Sequence, residues 1–97
     1  MKSIMQDEKR CYYCPCQYGL ERHHVLGGTA NRKLSERYGL WVWCCHEHHT
    51  GKGGVQYDAQ KNFALKAEAQ MAFEALYGHE QWMNTFRRNY LFEERIE

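Results

Sequence analysis

The sequence predicts a single α+β domain of 97 residues, and three observations predict it. Cys/His clusters at 11–16 and 44–49 flank two short runs with strand character. The clusters contain pairs spaced to share one metal ion. The last forty residues carry apolar side chains at helical intervals. This length suits one domain rather than two. So short a chain buries a modest core and is often stapled by a metal or by disulfides. Residues 11–58 form the clip and its hairpin, and residues 59–95 the helical support, within one domain over 1–97.

Each element has its own signal. Residues 1–10 are polar and are expected to fray or to form a short lead-in. A turn around Gly19 leads into a strand, "LERHHVL" at 20–26, which the Gly27–Gly28 pair ends. "TANRKLSERY" at 29–38 reads as a polar loop or one or two helical turns. "GLWVW" at 39–43 is rich in aromatic and β-branched residues and reads as the second strand. "CCHEHHTG" is a turn opening a short helix, closed by "GKGG". Leu65, Ala69, Ala72, Phe73 and Leu76 mark one amphipathic helix with a stop at Gly78. Trp82, Met83, Phe86 and Tyr90 mark a second. Their apolar and aromatic stripes are read as core, which gives these helices a supporting role.

Composition excludes several classes. No N-terminal apolar run resembles a signal peptide and no segment is long enough to span a membrane, so the expected compartment is the cytoplasm. There cysteines more often bind metal than pair, and five, an odd number, fits that expectation. The net charge of +1 carries no global signature of a polyanion-binding protein. Yet residues 1–56 hold eight Lys/Arg against five Asp/Glu, while residues 57–97 hold five against seven. The basic excess thus accompanies the Cys/His half, which is a slight pointer to a nucleic-acid partner on that side; a plain solvated surface would look much the same, and composition alone favours that reading.

Cys11-x-x-Cys14 is the spacing at which a tight turn aims two thiolates at one zinc ion. Cys45-x-x-His48 repeats the gap about thirty residues later. Together they make a closed Cys3His set, structural rather than catalytic. Spacing leaves Cys16 and Cys44 open as alternative ligands, although packing is the simpler role for both. A Cys11–Cys14 redox pair would normally belong to a thioredoxin-like βαβ pattern, which is absent.

With His48 in the clip, His23, His24, His46 and His49 remain. Adjacent strand residues point to opposite faces, so one packing role does not explain both His23 and His24. The clip draws the strand after Cys14 toward the turn after Cys45, which brings His23 or His24 near His49. Two or three protein ligands suffice for a catalytic metal, because it keeps an open position. One histidine of the pair can then bind the metal while its neighbour, titrating near neutrality, serves as a base. His46 is expected to be exposed. Arg22, Arg32, Lys33 and Arg37 are candidates for phosphate contacts.

The pattern "C-x-x-C … HH … C-x-x-H-H" resembles the HNH endonucleases, the ββα-metal or His-Me finger group. The run "LERHHVLGG…NRKLSERYGLWVWCCHEHH…GV", followed by two helices, looks like small HNH-type proteins of bacteriophages and prophages. The motifs cover residues 11–58, and the likeness extends to residue 91 through "YG…W…F…NYL". The resemblance implies a treble-clef-like zinc clip, a ββα-metal hairpin and two C-terminal helices. It implies hydrolysis of DNA phosphodiester bonds by one divalent metal, Mg2+, Mn2+, Ni2+ or Zn2+. His23 and His49 resemble the ligands of that metal and His24 the general base. Cys11, Cys14, Cys45 and His48 match the structural zinc positions, with His48 replacing a more usual cysteine. DNA is the implied partner, with phage packaging or recombination proteins beside it. The chain departs from the pattern at Gly39, near where an asparagine is usual, and after His49, where Gln56 and Asp58 stand instead of a further His or Asn ligand. The alternative function is a non-catalytic zinc module that binds DNA or a phage protein.

Overall fold

A computed structural model describes residues 1–91 of the chain. The helical support expected over 59–95 is therefore seen as far as residue 91, and 92–95 lie outside the described residues. The fold is a small α+β arrangement in the order β1 (Glu21–His24), α1 (Thr29–Tyr38), β2 (Trp41–Cys44), α2 (His46–His49), α3 (Ala59–Tyr77) and α4 (His79–Phe86). No helix among the described residues is long and apolar enough to cross a membrane.

β1 and β2 form a two-stranded antiparallel sheet with Glu21 opposite Cys44, Arg22 opposite Trp43, His23 opposite Val42 and His24 opposite Trp41. Two strands alone are marginal in water. The N-terminal segment covers the far edge of β2 instead of fraying. Gln6 Oε1 accepts from Trp43 N (2.9 Å), Tyr12 N donates to Trp43 O (2.8 Å), and Ser3 Oγ donates to Trp41 O (2.5 Å). These bonds satisfy backbone groups that an open sheet edge would leave unpaired.

The segment 29–38, expected as a loop or one or two turns, is a helix of ten residues. Ala30, Arg32, Lys33, Leu34, Glu36 and Arg37 are good helix formers, but the stretch is too polar to show an apolar stripe. Its buried contact is polar: Ser35 Oγ donates to Leu26 O and accepts from Leu26 N, both at 3.3 Å, tying α1 to the end of β1. Gly39 closes the helix at φ 73°. A Cβ there would run into Lys2 O, so glycine is required twice over.

Val25, Leu26, Leu40, Val42, Cys44, Val55, Leu65, Ala69, Phe73, Trp82 and Tyr90 form the core. α3 begins at Asp58, whose carboxylate accepts from Gln60 N and Lys61 N. Leu65, Ala69 and Phe73 face inward as expected, but Leu76 in the last turn is 61% exposed. α4 ends at Phe86, so Tyr90 reaches the core from the segment beyond it rather than from the helix. That segment folds back onto α3. Buried Gln70 accepts from Tyr90 N (2.7 Å) and donates to Asn89 Oδ1 (2.8 Å), while Trp82 Nε1 donates to Arg88 O (2.7 Å).

Candidate functional site

Two constellations meet at the ends of the hairpin. The first joins Cys11, Cys14, Cys45 and His48, whose donor atoms all lie within 4.8 Å of one another. The turn that carries the first pair is closed by Cys11 N donating to Cys16 O (2.8 Å). Cys45 caps the start of α2 and His48 lies one turn on, which sets the second pair. Cys45 Sγ is 3.2 Å and Cys11 Sγ 3.7 Å from His48 Nδ1, and Cys14 Sγ is 3.9 Å from Cys45 Sγ. Tetrahedral zinc with Zn–S of about 2.3 Å and Zn–N of about 2.0 Å needs donor-to-donor edges of about 3.5–3.8 Å. The cluster is the right size to hold a metal ion.

Its electrostatics ask for a cation. Burial pushes the Cys11 thiol up, but hydrogen bonds from the Cys45 and Tyr13 backbone and from the Cys14 and Cys45 side chains hold it below its ordinary value. Cys45 is instead pushed up to about 11, by lost hydration and by the neighbouring thiols. One thiolate in the group makes the next harder to form, and a bound dication removes that conflict. All five cysteines are free thiols. Cys16 and Cys44, left open by spacing, stand outside the cluster. Cys44 is wholly buried in the core with its thiol pushed up to about 12 by burial, and Cys16 Sγ bonds to Tyr18 O.

The second constellation is built by the alternation of β1. Glu21 and His23 project to one face and Arg22 and His24 to the other. On the first face the His23 ring lies 5.1 Å from the His49 ring, edge to face. Glu21 Oε1 lies 2.7 Å from His49 Nδ1, which leaves His49 Nε2 for another partner. His23 Nε2 is buried with no hydrogen-bond partner among the described residues. Burial above all, then the charges of His49, His24 and Lys66, holds His23 down to about 4, so the ring is neutral at physiological pH. On the second face Glu36 from α1 takes both side chains, with Oε2 at 2.6 Å from His24 Nε2 and Oε1 at 2.6 Å from Arg22 Nη1. The Arg22 guanidinium also lies 3.7 Å from the Trp41 ring centroid.

A cavity of about 390 Å³ opens over this centre, lined among others by His23, His24, His49, Arg32, Gln56 and Lys66. Arg22 also reaches it. Lys33 and Arg37 are exposed on α1 and do not line it, and Arg37 lies against the Tyr38 ring instead. Exposed His46 lies 3.6 Å from Glu21 Oε2. Sequence reasoning missed Glu21 and Glu36, which orient the histidines, and Asn62 and Lys66, which α3 brings to the cavity wall. For Glu21 a signal existed in its spacing two residues before His23. For Glu36 none did, because its segment was not expected to be a long helix.

Among the described residues no second set of three His, Cys, Asp or Glu donors comes as close together as the Cys3His group. The histidine centre thus offers two imidazoles. No family model matches the chain, and no curated protein or solved structure matches it.

Proposed function

We propose that the chain is an HNH-type endonuclease that hydrolyses DNA phosphodiester bonds, with zinc in the Cys3His group as its structural metal. The observation that carries the reading is the buried Nε2 of His23, unpartnered among the described residues, beside His49 in the lining of the cavity. A buried imidazole nitrogen without a partner is costly, and a metal ligand bond is one of few ways to satisfy it. The carboxylate of Glu21 behind His49 is the outer-shell arrangement common for metal-binding histidines. The order of turn, hairpin and short helix, with a ligand pair from each end, supports reading the cluster as a treble-clef-like clip and the hairpin with α2 as a ββα-metal motif.

His23 and His49 would hold the catalytic divalent metal. When bound it would supply charge stabilisation at the scissile phosphate. The base is His24. With Nε2 donating to Glu36, the lone pair stands on Nδ1, which takes the proton of a water molecule. The imidazolium formed rests against the Glu36 carboxylate, which steadies its charge. The hydroxide attacks phosphorus, the bond to the leaving sugar oxygen breaks, and that oxygen takes a proton from solvent water while His24 later returns its proton to solvent. Arg32 lines the cavity with no carboxylate partner among the described residues and can bind a non-bridging oxygen.

Plasmid nicking decides the matter. With Mg2+, Mn2+ or Ni2+ the wild-type chain should cleave, and His24→Ala should lower the rate by about 10²–10⁴-fold while keeping its fold and zinc. No cleavage above that variant in any of the three metals ends the nuclease reading and leaves a zinc module that binds without reacting.

A further inference from the structure

The histidine cavity does not end at Lys66. A groove of about 570 Å³ continues from it, lined by Gln56, Tyr57, Asn62, Phe63, Lys66, Arg88 and Tyr90. Gln56, Asn62 and Lys66 belong to both cavities. One wall is the first part of α3. The other is the segment after α4, fixed in place by Gln70 and Trp82.

Two properties of this surface restrict what can occupy it. The first is charge. Arg22, Arg32, Lys66 and Arg88 line the two cavities and, among the described residues, no carboxylate does. Of these four, only Arg22 has an acidic partner among the described residues. Burial, and then the nearby charge of Arg88, holds the Lys66 ammonium below its ordinary value, a tension that an anion between the two would relieve. The second property is exposed aromatic surface. Tyr57 is 71% and Phe63 38% exposed, and neither is needed to close the core. Phe63 packs edge to face on Tyr90 at 5.6 Å, which fixes its orientation.

We propose that this groove is a subsite for an unpaired nucleic-acid strand, its phosphates on Lys66 and Arg88 and its bases against Tyr57 and Phe63. Duplex DNA would use the cations but hides its base faces in the stack, whereas an unpaired strand offers both phosphates and π-faces. An acidic peptide would use the cations and leave the rings idle. The subsite deepens the proposed function, since it leads a strand with a free or frayed end to the histidine centre, but it acts by binding and needs no reaction.

The test is fluorescence anisotropy of a labelled oligodeoxythymidylate of about 12 nucleotides, against a hairpin duplex of similar length, without added divalent metal. The strand should bind more tightly than the duplex. Tyr57→Ser, at an exposed position that leaves the fold intact, should weaken strand binding on the order of tenfold and leave the duplex unchanged. Lys66→Gln with Arg88→Gln should weaken both ligands and flatten the salt dependence by about one to two charges. Equal affinity for strand and duplex, or a Tyr57→Ser variant that binds the strand like wild type, overturns the proposal. So does polyglutamate that competes as well as the oligonucleotide. Cleavage that His24→Ala abolishes while Tyr57→Ser changes nothing in binding would sink the subsite and spare the nuclease. Strand binding that Tyr57→Ser weakens, with no cleavage in any metal, would do the reverse.

Discussion

Glu36 is where two functions of one strand face converge. Its two oxygens hold His24 and Arg22, so it fixes the orientation of the proposed base and anchors α1 across β1. Partial burial would raise its carboxyl, but the bonds from His24 and Arg22 outweigh that and hold it below the ordinary value of 4.5. The folded value is depressed, so the stability these pairs contribute is fully present above the unfolded value and is lost as pH falls through the folded one. Both partners are partly solvated, which limits each pair to about 0.2–1 kcal/mol. Glu36→Gln should therefore be less stable than wild type in urea near pH 7, and the gap should close stepwise as pH drops below about 4.5. A gap that does not change with pH would mean that shape, not charge, is what Glu36 contributes. Residue types were legible here but partners were not: the histidine pair announced two faces, whereas Glu21 and Glu36 are ordinary surface acids until the fold sets them against the histidines.

At the scale of elements, legibility followed periodicity. The Cys/His spacings specified the clip, because two residues between ligands are a property of one local turn. The aromatic run 39–43 and the stripes at 65–76 and 82–86 indicated a strand and two helices, since burial imposes their period. α1 was hidden because it is held by Ser35 and by ion pairs rather than by an apolar stripe. The N-terminal cover on β2 was hidden because backbone and polar side-chain bonds make it, and such bonds leave no pattern in composition. The end of α4 was misplaced for a related reason. Tyr90 continued the apolar spacing, but the chain leaves the helix at Arg87, in the left-handed region at φ 62°. Arg87 is exposed and has no side-chain partner among the described residues. Left-handed geometry costs a non-glycine residue about 1 kcal/mol or more, part of which glycine returns as unfolded-state entropy. Arg87→Gly should thus raise stability by about 0.5 kcal/mol, read as a small rise in the thermal midpoint. A fall would show that the Arg87 side chain contributes a contact worth more than the strain.

Over the whole molecule, charge is sorted in space more sharply than along the chain. A net charge of +1 conceals a surface of four cations with no carboxylate among the described residues, because Glu21 and Glu36 are turned onto histidines and arginine while Glu74 binds Gln70 and His79. The same compactness makes the clip decisive. The core is one cluster under a two-stranded sheet, and the Cys3His group is where the two cysteine-bearing turns bring four metal donors together. A domain of this size is expected to hold about 5–15 kcal/mol in total, whereas a structural zinc ion contributes apparent binding energy of about 10–16 kcal/mol at neutral pH. Losing the ion should therefore remove more stability than the apolar core leaves in surplus. Metal analysis should find one tightly held zinc per chain. A strong chelator should abolish the cooperative thermal transition and much of the far-ultraviolet ellipticity, and zinc should restore both. Cys14→Ser should behave as the chelated wild type does, while Cys16→Ser should melt like the native chain, because Cys16 stands outside the cluster. If the chelated protein still melts cooperatively near the native midpoint, the core alone specifies the hairpin, and the clip serves the histidine centre rather than the fold.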